Sequence, residues 1–190
     1  MAKRSGFSEK RMLNRRFRGT EEAILDALFG AKNFLNMKSV VGGAKISRST
    51  FYRHHKTIHS VVSDYERYVL KKYVKILSKI MHKRDVEIKI LYRQMLVFMM
   101  VNKKVLLFLL KNNNGEVVRK MIRKLEPSVV EECRWPKESK KMFEIYVNEI
   151  FGVVEGWSKE NFAEGRIEVV LGDIMYLTET SRKRLLPLEN

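Results

Sequence analysis

The stretch Ala44–His55, AKISRSTFYRHH, decides how the rest of this chain is read. It lies between a helix-like apolar pattern over residues 20–43 and a long amphipathic stretch that begins near Thr57. Ser47 is a good N-cap, because its hydroxyl can accept from a backbone N–H three residues on. The run after it, residues 48–53, is too short to hold as an isolated helix. Packing must hold it, and Phe51 is the residue able to do so. Around Phe51 stand Arg48, Ser49, Thr50, Tyr52, Arg53 and His54, all hydrogen-bond formers. A short helix with one apolar anchor and a polar, positive outer face suits a DNA groove. An ordinary surface turn carrying a solvated basic helix would read the same way, so the rest of the chain has to decide.

Charge is the first arbiter. The 190 residues carry a net +16, unevenly placed. Residues 1–80 hold 18 Lys/Arg against 6 Asp/Glu, a net +12, and residues 81–190 carry only +4. A basic first part beside a nearly balanced remainder points to a polyanion, with nucleic acid ahead of an anionic membrane surface. The 45% hydrophobic content is enough for a sizeable core. Cys133 is the only cysteine, so no intrachain disulfide can form, which fits a reducing cytoplasm. The N-terminus lacks the apolar run of a signal peptide. The most apolar segment, residues 91–110, is interrupted by Arg93, Gln94, Asn102, Lys103 and Lys104, and reads as buried helices rather than a membrane span.

Residues 1–19 set seven Lys/Arg against Glu9 alone and read as a disordered basic arm. Thr20 is placed to cap the first helix, with Glu21 and Glu22 in its first turn. Ala23, Ile24, Ala27, Leu28, Ala31, Phe34 and Leu35 recur at helical spacing. Asn36 caps a second short helix from Met37 to about Ala44, in which Gly42 and Gly43 suggest close approach to a neighbour. Lys45 and Ile46 make the turn into the third helix, so the two short helices form a helix-turn-helix. A fourth helix is expected over 57–80. Further helices are expected over 86–101, 104–112, 115–125, 128–133, 137–162 and 166–184, with no strand and no internal repeat.

From Thr20 to about Tyr68 the sequence resembles the TetR family of transcriptional regulators, through the amphipathic first helix, the AKIS turn and the run STFYRH. The resemblance implies an all-α chain. Its N-terminal three-helix helix-turn-helix domain, residues 20–66, would bind DNA, and a helical domain over 67–186 would bind ligand and dimerise. It implies a homodimer on double-stranded operator DNA, repressing until a small apolar or amphipathic effector binds. Carried over by position, Arg48, Ser49 and Tyr52 face bases or the groove. Thr50, Tyr52 and His54 meet phosphates, and Lys38 is a further phosphate contact. The full candidate set adds Lys45, Ser47, Arg53 and Lys56. The chain departs from the family at two places. Lys45 holds a turn position usually given to glycine. Ile58 holds one often given to a phosphate-binding lysine, and Lys56 stands two residues before it.

Other constellations are weaker. His55 and His59 are four apart, but no carboxylate or cysteine near in sequence completes a metal site, and no cofactor motif or catalytic pattern is found. Met95, Met99, Met100, Phe98 and Phe108 fit either a core or an adaptable cavity. The segment 137–162 carries a wide apolar face of Phe143, Tyr146, Val147, Ile150, Phe151, Val154 and Trp157, with Gly152 and Gly156 four apart. With Val170, Ile174 and Leu177 of the last helix it would make a four-helix interface about a two-fold axis, or simply the domain's own core. The rival functional reading is a protein-interaction adaptor or coactivator of the same fold that binds no operator.

Overall fold

The apolar spacings of the sequence become ten α-helices among the described residues of a computed structural model, which are 15–30, 36–81, 86–136 and 139–184. No strand occurs among them. We number the helices α1 (Arg15–Gly30), α2 (Met37–Gly43), α3 (Arg48–His54), α4 (Ser60–Met81), α5 (Ile88–Val101), α6 (Lys103–Asn112), α7 (Glu116–Arg123), α8 (Glu126–Glu132), α9 (Lys140–Lys159) and α10 (Ile167–Arg184). A 3-10 turn, Glu164–Arg166, leads into α10.

The first helix starts earlier than its sequence suggests. Arg15 to Gly19 are helical, and Thr20 is not the cap. Its hydroxyl donates instead to the Arg16 carbonyl at 3.1 Å, one turn back. Phe17 explains the extension: its ring stacks on His54 with centroids 3.9 Å apart, so part of the expected arm is packed. The arm's first residues, and Ala31, Phe34 and Leu35 of the expected first-helix stripe, lie outside the described residues.

α1 packs against α2 at short range. A Cβ on Gly43 would lie 3.0 Å from the Ala27 Cβ, so this glycine permits the contact that its sequence position suggested. Gly42 has no such role, since nothing lies within 4 Å of its Cβ position. Ile24, Leu28, Val40, Phe51, Val61 and Tyr65 are buried between α1, α2, α3 and α4.

α4 is about 33 Å long by the helical rise. Its inward stripe of Val61, Tyr65, Val69, Tyr73 and Leu77 runs from this small bundle into the larger one. There it packs on α5, α6 and α7. The Tyr65 ring meets Phe108 of α6 edge-on at 5.8 Å, and Tyr73 packs on Phe98 of α5 at 5.4 Å. At the surface, Lys104 of α6 pairs with Asp26 of α1, and Lys120 of α7 with Glu66 of α4.

Two helix ends differ from the sequence expectation. Pro127 does not break the chain; it sits in the first turn of α8, where its missing N–H costs nothing. α9 stops at Lys159 rather than Phe162, because Asn161 and Phe162 take left-handed φ values of 56° and 50°. Trp157 holds that turn: its ring packs on Phe162 at 4.9 Å and its Nε1 donates to the Ala163 carbonyl at 2.9 Å. At the start of α7, Gly115 has φ 75°, and a Cβ there would lie 2.2 Å from the Phe151 ring. Only glycine fits both the angle and the ring.

Candidate nucleic-acid interface

Local hydrogen bonds build the α2–turn–α3 unit. The Asn36 side chain accepts from Ser39 N at 2.8 Å, and the Ser47 hydroxyl accepts from Thr50 N at 3.0 Å. Both residues have extended backbone, as an N-cap requires. Between the helices the chain reverses at Lys45, whose φ is 52°. Ile46 N then donates to the Val41 carbonyl at 3.0 Å. The turn that the family resemblance assigns to glycine is therefore left-handed here with a lysine in it. Phe51 is fully buried and pins α3 from below.

The outward side of this unit gathers most of the residues marked from sequence. Lys38, Lys45, Ser47, Arg48, Ser49, Tyr52, Arg53 and Lys56 are exposed, and Thr50 is partly so. Tyr52 is 54% exposed. The hydroxyls are organised rather than free. Ser47 Oγ lies 2.8 Å from Ser49 Oγ and 2.9 Å from Thr50 Oγ1, and Arg53 donates to Thr50 Oγ1 at 3.0 Å. No acidic side chain lies on α2 or α3. The face combines positive charge, hydroxyls and one aromatic ring, which is the chemistry that meets phosphate oxygens and base edges.

His54 does not belong to that face, contrary to the sequence expectation. It is buried, three residues on from Phe51 and so on the same inward side, a spacing that could have revealed it. Its Nδ1 bonds Glu21 Oε1 of α1 at 2.5 Å. His55 is more deeply buried still, with Nε2 3.2 Å from Glu21 Oε2 and Nδ1 3.0 Å from Asp64 Oδ2 of α4. The Tyr65 hydroxyl donates to Glu21 Oε2 at 2.8 Å. Burial alone would push the Glu21 carboxyl up, but the hydrogen bonds from His54 and His55 outweigh it and leave the pKa lowered. Burial would push His55 down, but hydrogen bonds to Asp64 and Glu21 outweigh it and leave the pKa raised. Tyr65 is pushed well above the ordinary phenol value, chiefly by burial. His59, the other half of the sequence pair, is exposed. Among the described residues no group of three His, Cys, Asp or Glu is arranged to hold a metal ion.

The candidate dimer residues are also placed differently. Phe143, Tyr146, Val147, Ile150, Phe151, Val154, Trp157, Val170 and Ile174 are buried within the single chain, and Leu177 is half-buried. They belong to the chain's own core, because α9 packs on α7 and α10, and α10 packs on α5. The outer faces of the two helices carry other residues. Ile145, Gly152 and Gly156 are exposed on α9, and Val169, Gly172 and Tyr176 on α10.

Met95, Met99, Phe98 and Phe108 are likewise core residues. Two open cavities lie elsewhere. One, of about 570 Å³, is lined by Met81, Ile88, Leu91, Glu131, Arg134 and Arg182. The other, of about 560 Å³, lies between α6, α7 and α9 and includes Leu110, Lys111, Arg119, Phe151 and Lys159. Among the described residues no helix is long and apolar enough to cross a membrane.

No protein-family model, curated protein or solved structure matches this chain.

Proposed function

We propose that the chain is a sequence-specific, double-stranded-DNA-binding transcriptional regulator, acting as a homodimer and repressing until an effector binds the helical domain. α2 and α3 are its helix-turn-helix, and α3 is the helix that enters the major groove. One observation carries the reading: Ser47, Arg48, Ser49, Tyr52 and Arg53 stand together on the exposed side of a capped helix whose opposite side is pinned by Phe51. With no acidic side chain on α2 or α3, that exposed side presents positive charge, hydroxyls and the 54% exposed Tyr52 ring together. Arg48 and Tyr52 are assigned to the base edges, and Lys38, Lys45 and Lys56 to phosphates.

A single unit of this size binds one half-site weakly, and two held about 34 Å apart bind far better. The exposed faces of α9 and α10 are the proposed contact between copies. Gly152, Gly156 and Gly172 have nothing within 4 Å of a Cβ position, so each accepts the helix-propensity cost of glycine without any need inside the protomer. A second copy approaching closely would account for all three.

The test is selection of bound duplexes from a random pool, followed by titration against salt. If each protomer neutralises roughly four phosphates, the log–log slope should lie near −7. A slope near zero, with no selected sequence, would favour the adaptor reading instead.

A further inference from the structure

Beneath α3 lies a cluster that its groove-facing side chains do not use: Glu21, His54, His55, Asp64 and Tyr65, each at most 5% exposed. It joins three helices. Glu21 belongs to α1, the two histidines close α3, and Asp64 and Tyr65 open α4. At its centre is His55, whose two ring nitrogens both face carboxylate oxygens, Asp64 Oδ2 at 3.0 Å and Glu21 Oε2 at 3.2 Å. A neutral imidazole has one N–H and one lone pair, so it can satisfy only one of these contacts. The imidazolium satisfies both, and it also balances two carboxylates that would otherwise repel each other in a space closed to water.

We propose that His55 is a positioning residue for α3: as a buried imidazolium it ties the C-terminal end of this helix to α1 and α4, and its proton keeps α3 seated for DNA. The proposal rests on the DNA-binding reading for its functional consequence, while the seating of α3 stands apart from it.

Among the described residues, other groups also meet the two carboxylates. Glu21 also accepts from His54 and from the Tyr65 hydroxyl. Asp64 also accepts from Ser60 at 3.4 Å, and Arg67 approaches its other oxygen at 3.5 Å from the exposed surface. On the side facing α6, Tyr65 meets the uncharged Phe108. None of these can replace the His55 proton between Glu21 and Asp64. The His55 pKa is raised, so its contribution is complete below the ordinary histidine value and disappears as pH rises through the folded value. Glu21 sets the opposite limit. Its lowered pKa means that its contribution is present above the ordinary carboxyl value and lost in acid.

The experiment uses the full chain. Nitrogen-15 NMR of the His55 ring, and amide-exchange protection factors across α3, are followed from about pH 6 to pH 9.5 without DNA. In parallel, binding of a fluorescein-labelled duplex recovered from a random pool is titrated over the same range. Both His55 nitrogens should carry protons at neutral pH. α3 protection and duplex affinity should then fall together, by at most about tenfold for each pH unit between the ordinary histidine value and the folded His55 value, and level off above it. His55→Phe should flatten both profiles above pH 6; if that variant does not fold, Asp64→Asn, which removes one of the two carboxylates, should move both midpoints to lower pH. A neutral His55 ring at pH 7, or α3 protection that ignores pH across its titration, would overturn the proposal. So would duplex affinity that ignores the titration in a protein that binds. Absence of duplex binding at every pH, with α3 protection still following the His55 proton, would count against the DNA-binding reading and support the seating of α3.

Discussion

Phe51 and Tyr52 are neighbours in sequence with opposite surroundings, and truncating each to alanine should separate folding from binding. The Phe51 ring is 0% exposed, whereas Tyr52 is 54% exposed. α3 has seven residues, and ordering each costs roughly 1–2 kcal/mol of backbone entropy. So short a helix holds only by its attachments, and Phe51 is its one buried apolar side chain. Phe51→Ala should cost about 3–5 kcal/mol, the usual sum of lost burial and residual cavity for a buried phenylalanine. Tyr52→Ala should stay within about 0.5 kcal/mol. In urea denaturation the first variant should show a much lower midpoint, and the second should overlay the wild type. Duplex binding should be lost in Phe51→Ala, whereas Tyr52→Ala should lose about tenfold, or about 1.4 kcal/mol, with α3 amide protection intact. The reasoning is refuted if the two variants cost the same stability, or if Phe51→Ala keeps wild-type affinity.

Lys45→Gly should raise stability in urea denaturation by up to about 1 kcal/mol, because a left-handed angle costs a residue with a side chain about 1–2 kcal/mol and glycine's extra chain entropy offsets part of the gain. The same change should weaken duplex binding and flatten the dimer's salt slope by about two units, through loss of one phosphate contact in each copy. Ser47→Ala should cost about 1 kcal/mol by thermal unfolding, since the Thr50 N–H loses its acceptor. Gly156→Leu meets nothing inside the protomer, so it should keep the wild-type helical circular dichroism while its sedimentation shifts from dimer to monomer. Phe151→Glu should instead destabilise the helical domain in urea denaturation by about 3–5 kcal/mol, because the buried ring that packs over Gly115 is lost, even though Arg119 is placed to pair with the new carboxylate.

Reading from sequence worked where the physics is local. A cap reaches only three residues, so Asn36 and Ser47 could be recognised from their neighbours alone, and both make their bonds to Ser39 and Thr50. The turn was placed at Lys45 and Ile46 between two helical patterns, but the left-handed angle at Lys45 came only from the structure, because a lysine does not favour it. Phe51 was legible as an anchor because it is the lone apolar residue in a polar run. The all-helical character follows from the spacing of apolar residues over many turns.

What only the tertiary structure decided is which neighbour each face meets. The apolar stripes of α9 and α10 are the same whether a second copy or the protomer itself covers them. The packing of α9 on α7 and of α10 on α5 gave those residues to the protomer and left Ile145, Gly156 and Tyr176 outside. His54 carried a weak signal in its spacing from Phe51, but its partner Glu21 lies 33 residues away. His55 carried none, because its role depends on two carboxylates 9 and 34 residues distant. Whether a histidine is a surface base or a buried imidazolium is set by the charges that folding brings around it, and chain order does not encode that distance.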